Sequence, residues 1–212
     1  MRSADKNPFQ STRRSLLSRL RRWDDHDSWR EFFETYWRLI YDVAKNAGLN
    51  DAEAQDVVQE TILSVAKQMP GFRYDSERGQ FKAWLRQVTR RRIMDHLRRR
   101  YREPGGVSEG SETGPTAPLG NIESIPDPAS ESLDAIWDRE WADHLASLAL
   151  QRVKRRVRPE HFQIFELLVI QGWPVGKVAK DLDVSVPLIY VTRHRINAML
   201  KKEVKALQAS DW

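Results

Sequence analysis

The sequence predicts an all-α protein of two small helical domains joined by a flexible linker. Three observations carry that expectation. Apolar residues recur at three- and four-residue spacing through most of the chain, and no stretch alternates convincingly as a strand. Residues 103–128 collect prolines and glycines and contain no lysine or arginine. On either side of that stretch lies a cation-bearing helical segment, Lys82 to Arg102 and Ile189 to Leu200. Bounds follow: an N-terminal extension over 1–27, a first domain over 28–102, a linker over 103–130 and a second domain over 131–208.

The elements read in order. Ser11 can cap a short helix holding Leu16, Leu17 and Leu20, which Asp24-Asp25-His26-Asp27 interrupts. Ser28 and Glu31 are spaced as a capping box, a hydroxyl and a carboxylate three residues apart that satisfy free amides at a helix start. Phe32, Phe33, Tyr36, Trp37, Ile40, Val43 and Ala44 then follow as an apolar stripe ended by Gly48. Asn50 and Glu53 repeat the capping pattern before Ala54, Val57, Val58, Thr61, Ile62, Val65 and Ala66. Met69 to Gln80 reads as a loop, with Pro70, Gly71 and Gly79 as its punctuation. Phe81, Trp84, Leu85 and Val88 open the arginine-rich helix. Beyond the linker, Leu133, Ile136, Trp137, Trp141, Leu145 and Leu148 mark one helix. Pro159 opens another with Phe162, Phe165, Leu168 and Val169 as its buried face and Gly172 as its end.

Val175 to Leu200 has the pattern of a helix-turn-helix. Ala179 is small where a second helix must cross closely, and Asp183-Val184 makes the turn. Glycine usually stands at the Asp183 position because the backbone there has positive φ, a geometry aspartate tolerates better than most residues. Ser185 caps the second helix and Pro187 is acceptable near its start. Ile189, Ile196 and Leu200 would face the core. Tyr190, Arg193, His194 and Arg195 would face outward, toward base edges and phosphates of a major groove. An ordinary helical hairpin with a solvated basic face is the bland alternative. Caps, turn and exposed cations agreeing with one another favour DNA.

Charge points the same way. The formal net charge is +5, and its clustering favours an anionic partner. Lys82, Arg86, Arg90, Arg91, Arg92, Arg98, Arg99, Arg100 and Arg102 share one helix with Asp95 as almost the only opposing charge. Such a helix repels itself, and phosphates would relieve it. Phe72, Arg73 and Tyr74 precede it. Aromatic rings beside cations can stack on unpaired bases, although these rings could equally cover the core. Asp56 and Glu60, four residues apart on one helical face, form an acidic patch with no base in the next turn. Such a patch suits a basic protein partner rather than DNA, unless it is a plain solvated face.

Other classes fare poorly. There is no cysteine, so disulfides and thiolate metal sites are excluded. His26, His96, His144, His161 and His194 lack ligand spacing, and helix capping accounts for Asp24 to Asp27 better than a metal does. No phosphate-cradling glycine loop or nucleophile elbow is present. The expectation is no enzyme, no metal and no cofactor. Met1 to Gln10 lacks the apolar core of a signal peptide, and no apolar run reaches the roughly 20 residues that span a bilayer. A cytoplasmic protein with no membrane contact is expected.

Three segments resemble region two of a bacterial RNA polymerase sigma factor: Asp51-Ala-Glu-Ala-Gln-Asp-Val-Val-Gln-Glu-Thr61, Gly79-Gln-Phe-Lys-Ala-Trp-Leu85 and Arg92-Ile-Met-Asp-His-Leu-Arg98. Phe162 to Lys202 resembles region four. With only a linker between them, the likeness is to the extracytoplasmic-function (ECF) group. It covers most of Ser28 to Leu207 and leaves the residues before Ser28 without a role. Trp173-Pro174 and Pro187-Leu188 depart from the commonest region-four wording. The resemblance implies partners and site residues. Asp56, Gln59 and Glu60 would dock on the clamp helices of the largest subunit of core RNA polymerase, whose flap would be a further contact. Arg73, Tyr74, Lys82, Arg86 and Arg90 would hold the melted minus-ten element of promoter DNA. Tyr190, Arg193, His194 and Arg195 would read the minus-thirty-five element. The acidic linker would lie near the RNA path, and an anti-sigma factor is a further partner the family allows. The polymerase would do the chemistry. The rival reading is a stand-alone helix-turn-helix regulator binding palindromic DNA as a dimer.

Overall fold

The computed structural model describes residues 14–72, 81–102 and 128–210, and every regular element among them is helical. The helices are α1 (Arg14–Arg19), α2 (His26–Asn46), α3 (Asp51–Gln68), α4 (Phe81–Arg102), α5 (Pro128–Arg156), α6 (Pro159–Phe165), α7 (Val175–Asp181) and α8 (Val186–Ser210). A 3-10 turn, Met69–Gly71, follows α3, and a π turn, Glu166–Ile170, follows α6. The all-α expectation holds. Packing divides the described residues inside α5, between Trp141 and Ala142, whereas the sequence puts the second domain's start at residue 131. The helix itself begins at Pro128, so 128–130 are not linker. A proline in a first helical turn loses no hydrogen bond, which explains the early start.

In the first unit, Leu16, Leu17 and Leu20 are buried, and so are Phe32, Tyr36, Leu39, Ile40, Val43 and Ala44 of α2. Phe33 and Trp37, expected in the buried stripe, are exposed and stack on each other. Leu39 takes a core place instead. The stripe Phe32, Tyr36, Leu39, Ile40 and Val43 faces the core, and Phe33 and Trp37, each one residue further on, lie on its flank. The helix also starts two residues before Ser28. Asp25, not Ser28, accepts the cap bond, from the Ser28 amide at 3.1 Å. Glu31 is then free to pair with Arg19 of α1. The second cap is as expected, with Asn50 and Glu53 exchanging bonds of 3.0 and 2.8 Å. Leu133, Trp137 and Trp141 of α5 are buried in this unit, and the Trp141 ring stacks on Tyr36.

In the second unit, Val153, Phe165 and Ile196 form one apolar cluster and Ile164, Val178 and Ile189 another. Glu203 ties α8 to α5 through Arg152 and Arg156. Val169, expected inside, is exposed, and Ile164 is buried in its stead. The π turn accounts for this: the Gln171 amide bonds back five residues to Glu166, which resets the face presented after Phe165. Gly172 ends the segment at φ +69°.

Candidate nucleic-acid and polymerase interfaces

The helix-turn-helix is assembled from short-range chemistry. Pro174 precedes α7, and the Lys177 ammonium lies 3.6 Å from the centre of the Trp173 ring. Asp183 has φ +51°, the one positive-φ residue other than glycine among those described. The Val184 amide then bonds to the Ala179 carbonyl at 3.0 Å and closes the turn. Ile189, Thr192 and Ile196 are buried, which fixes the rotation of α8. Tyr190, Arg193, His194 and Arg195 are all exposed. They do not make one row. At 100° per residue, Arg193 and Arg195 lie about 200° apart around the axis, on opposite flanks of His194. Val191 was missed in the sequence reading. It is 64% exposed, between the two flanks, on the side away from Ile196. Leu188, Val191 and Arg195, spaced three and four apart, share a stripe. The signal is in the spacing: Val191 lies about 140° around the axis from the buried Ile196.

The acidic patch sits on α3. Asp56 and Gln59 are exposed. Glu60 is half-buried and is not uncompensated. His96, Arg99 and Arg92 of α4 approach its carboxylate at 3.5, 3.9 and 4.0 Å. Spacing along α3 alone does not reveal these bases, because they come from α4. Three further bonds tie α4 to α3 and to the turn before it. Arg92 donates to the Ser64 hydroxyl at 2.7 Å, and Arg100 pairs with Glu53 and donates to the Gly48 carbonyl. Part of the self-repulsion of α4 is thus relieved from within the protein.

Of the residues assigned to the minus-ten element, Arg73 and Tyr74 lie outside the described residues. Phe72 just before them rests its ring 4.7 Å from that of Trp84, and its carbonyl accepts a bond from Arg21. Lys82 and Arg86 are paired: Lys82 with Asp138 at 2.8 Å and Arg86 with Asp134 at 3.8 Å, both carboxylates on α5. Lys82 also lies 5.6 Å from the centre of the Trp141 ring. Arg90 is half-buried and its Nε has no hydrogen-bond partner. Elsewhere, hydrogen bonds from Lys45 and Tyr41 hold the Asp51 carboxyl below the ordinary carboxylate range. Burial pushes the His144 imidazole down to about 4. No group of carboxylates and histidines that could hold a metal occurs among the described residues. No helix there is long and apolar enough to cross a membrane.

A helical bundle with an arginine-lined helix is thus followed by a helix-turn-helix. Residues 32–103 match Sigma-70 region 2. The ECF RNA polymerase sigma factor SigL of Mycobacterium tuberculosis is 29% identical over 157 residues, 74% of this chain and 77% of its own length. SigM, an ECF RNA polymerase sigma factor of the same organism, is 23% identical over 161 residues, 76% of this chain and 69% of its own. The solved structure of CnrH in complex with the cytosolic domain of CnrY covers 91% of this chain and 97% of that chain at 17% identity. Its TM-score is 0.35. Residues 32–103 thus match a sigma region 2 domain, and about three quarters of the chain is similar to ECF RNA polymerase sigma factors.

Proposed function

We propose that this protein binds core RNA polymerase, carries it to promoter DNA and helps to open the duplex. The region-two match over residues 32–103 carries that reading, because the acidic α3 patch and the cationic α4 helix both fall within it. In this reading Asp56 and Gln59 meet the polymerase clamp helices, and Glu60 joins them from its place against α4. Lys82, Arg86 and Arg90, with Arg73 and Tyr74, hold the displaced minus-ten strand. The α8 residues Tyr190, Arg193, His194 and Arg195 read the upstream element, and the polymerase flap meets the second domain. An anti-sigma factor would act by covering these surfaces. The protein supplies no catalytic group, and the bond-forming chemistry belongs to the polymerase. The exposed Tyr190, Arg193, His194 and Arg195 around a turn closed by Asp183 support the upstream contact. Reconstitution with core polymerase and sequencing of transcript starts on genomic DNA tests the whole reading. Discrete starts that share two upstream sequence blocks are expected. Binding to palindromic DNA as a dimer, with no capture of core polymerase, would overturn it in favour of a stand-alone regulator.

A further inference from the structure

Lys82 and Arg86 carry a contradiction. They are the cations best placed for the minus-ten strand, yet both face carboxylates of a single helix. Lys82 meets Asp138 at 2.8 Å and Arg86 meets Asp134 at 3.8 Å. The spacing is regular. Lys82 and Arg86 are four residues apart, as are Asp134 and Asp138, so two helical rows pair rung by rung in antiparallel order. Apolar contacts seat the row. Leu133, Trp137 and Trp141 are buried, Trp141 stacks on Tyr36, and Trp137 stacks on Trp141. The Lys82 ammonium also lies against the Trp141 ring. Asn46 on α2 donates to Glu140 at 3.1 Å and fixes the far end.

We infer that the Leu133–Trp141 segment of α5 occupies the minus-ten strand surface of α4 and must leave it before DNA can bind. The segment presents what a nucleic-acid strand presents, negative groups spaced along a backbone with flat rings between them. The two occupants therefore compete for the same cations. Exposed pairs of this kind are individually weak, so displacement by DNA phosphates is feasible. The buried tryptophans set the resting position. This inference rests on the assignment of Lys82 and Arg86 to the minus-ten strand.

The first test uses the full chain without polymerase and a labelled, mixed-sequence single-stranded oligonucleotide. Asp134→Asn with Asp138→Asn should raise affinity about tenfold at low salt. The salt slope should steepen by roughly 1.4, the value for two newly available cations on a single strand. A control variant with the same added charge elsewhere, Asp27→Asn with Glu34→Gln, should gain clearly less. Adding Lys82→Ala and Arg86→Ala to the asparagine pair should cancel the gain. An equal gain in the control, no gain, or a gain that survives loss of Lys82 and Arg86 would each overturn the inference. A second test uses the absence of cysteine. Lys82→Cys with Asp138→Cys, joined by a short thiol cross-linker, should form at least about tenfold fewer open complexes in the holoenzyme than the same variant left unjoined. Equal opening by the joined and unjoined forms would overturn it. Failure of the unjoined wild-type chain to bind core polymerase would instead overturn the proposed function, and the oligonucleotide test stands apart from that.

Discussion

Two residues on the helix-turn-helix show how much one position can decide. Asp183 is legible from sequence because the turn demands positive φ and few side chains accept it, and the structure places it at +51°. Asp183→Val should therefore cost about 1–2 kcal/mol of stability, since a β-branched side chain collides with its own backbone there. Asp183→Gly should be within a few tenths of wild type. Urea unfolding of the three proteins checks the order. Val191 was not legible by looking for polar readers, because an exposed valine donates and accepts nothing. Its place on the outward face suits the methyl group of thymine. Once the upstream element is mapped, replacing one of its thymines by uracil should weaken wild-type holoenzyme but leave Val191→Ser unchanged. If every uracil substitution affects both proteins alike, Val191 is only a solvated side chain.

At the scale of elements, the sequence set helix identity well and helix register poorly. The stripes of α2 and α3 were visible because apolar spacing is a local property. Phe33 and Trp37 lie on the flank of the α2 stripe, where spacing alone does not fix burial, and Val169 is turned outward by the π turn. Charge was misread for a related reason. Neighbours along a helix can be counted, whereas Glu60 against Arg92, His96 and Arg99 is a meeting of two helices. This changes how docking should be probed. Glu60→Arg would put a cation beside Arg92 and Arg99 and should lower the unfolding midpoint. Asp56 is exposed and no ion pair holds it among the described residues, so Asp56→Arg should leave circular dichroism and the midpoint unchanged. It should still weaken core-polymerase binding by about 1–3 kcal/mol if it meets a basic partner. Native affinity in Asp56→Arg and Gln59→Ala together would remove the patch from the interface.

For the molecule as a whole, acid and DNA probe different properties. His144 stays neutral in the fold because burial lowers its pKa to about 4, while the unfolded chain takes up its proton near the ordinary value of about 6.5. Between these values the unfolded state binds more protons, so stability is full above the upper one and falls with pH toward the lower. The loss would reach about 3 kcal/mol once pH is below both. Urea midpoints at pH 7 and pH 5 should differ more in wild type than in His144→Gln. The two proposed DNA surfaces lie in separate units of the chain; the proline- and glycine-rich stretch signals two units, but the division falls beyond it, inside α5. It makes their roles separable. Arg193 and Arg195 sit on opposite flanks of α8, so both cannot address the same base pair. An arginine reading guanine should cost about 1–3 kcal/mol on mutation to alanine and relax preference at one position. Its counterpart on phosphate should weaken all sequences alike and reduce the salt slope by about one. Arg193→Ala and Arg195→Ala in holoenzyme, scored against a library of upstream elements at several salt concentrations, assign the two roles. Neither change should reduce transcription from a template already opened at the minus-ten element, because that template no longer depends on the upstream grip for melting. Loss of activity on the opened template in either variant would mean that α8 acts in a later step than recognition.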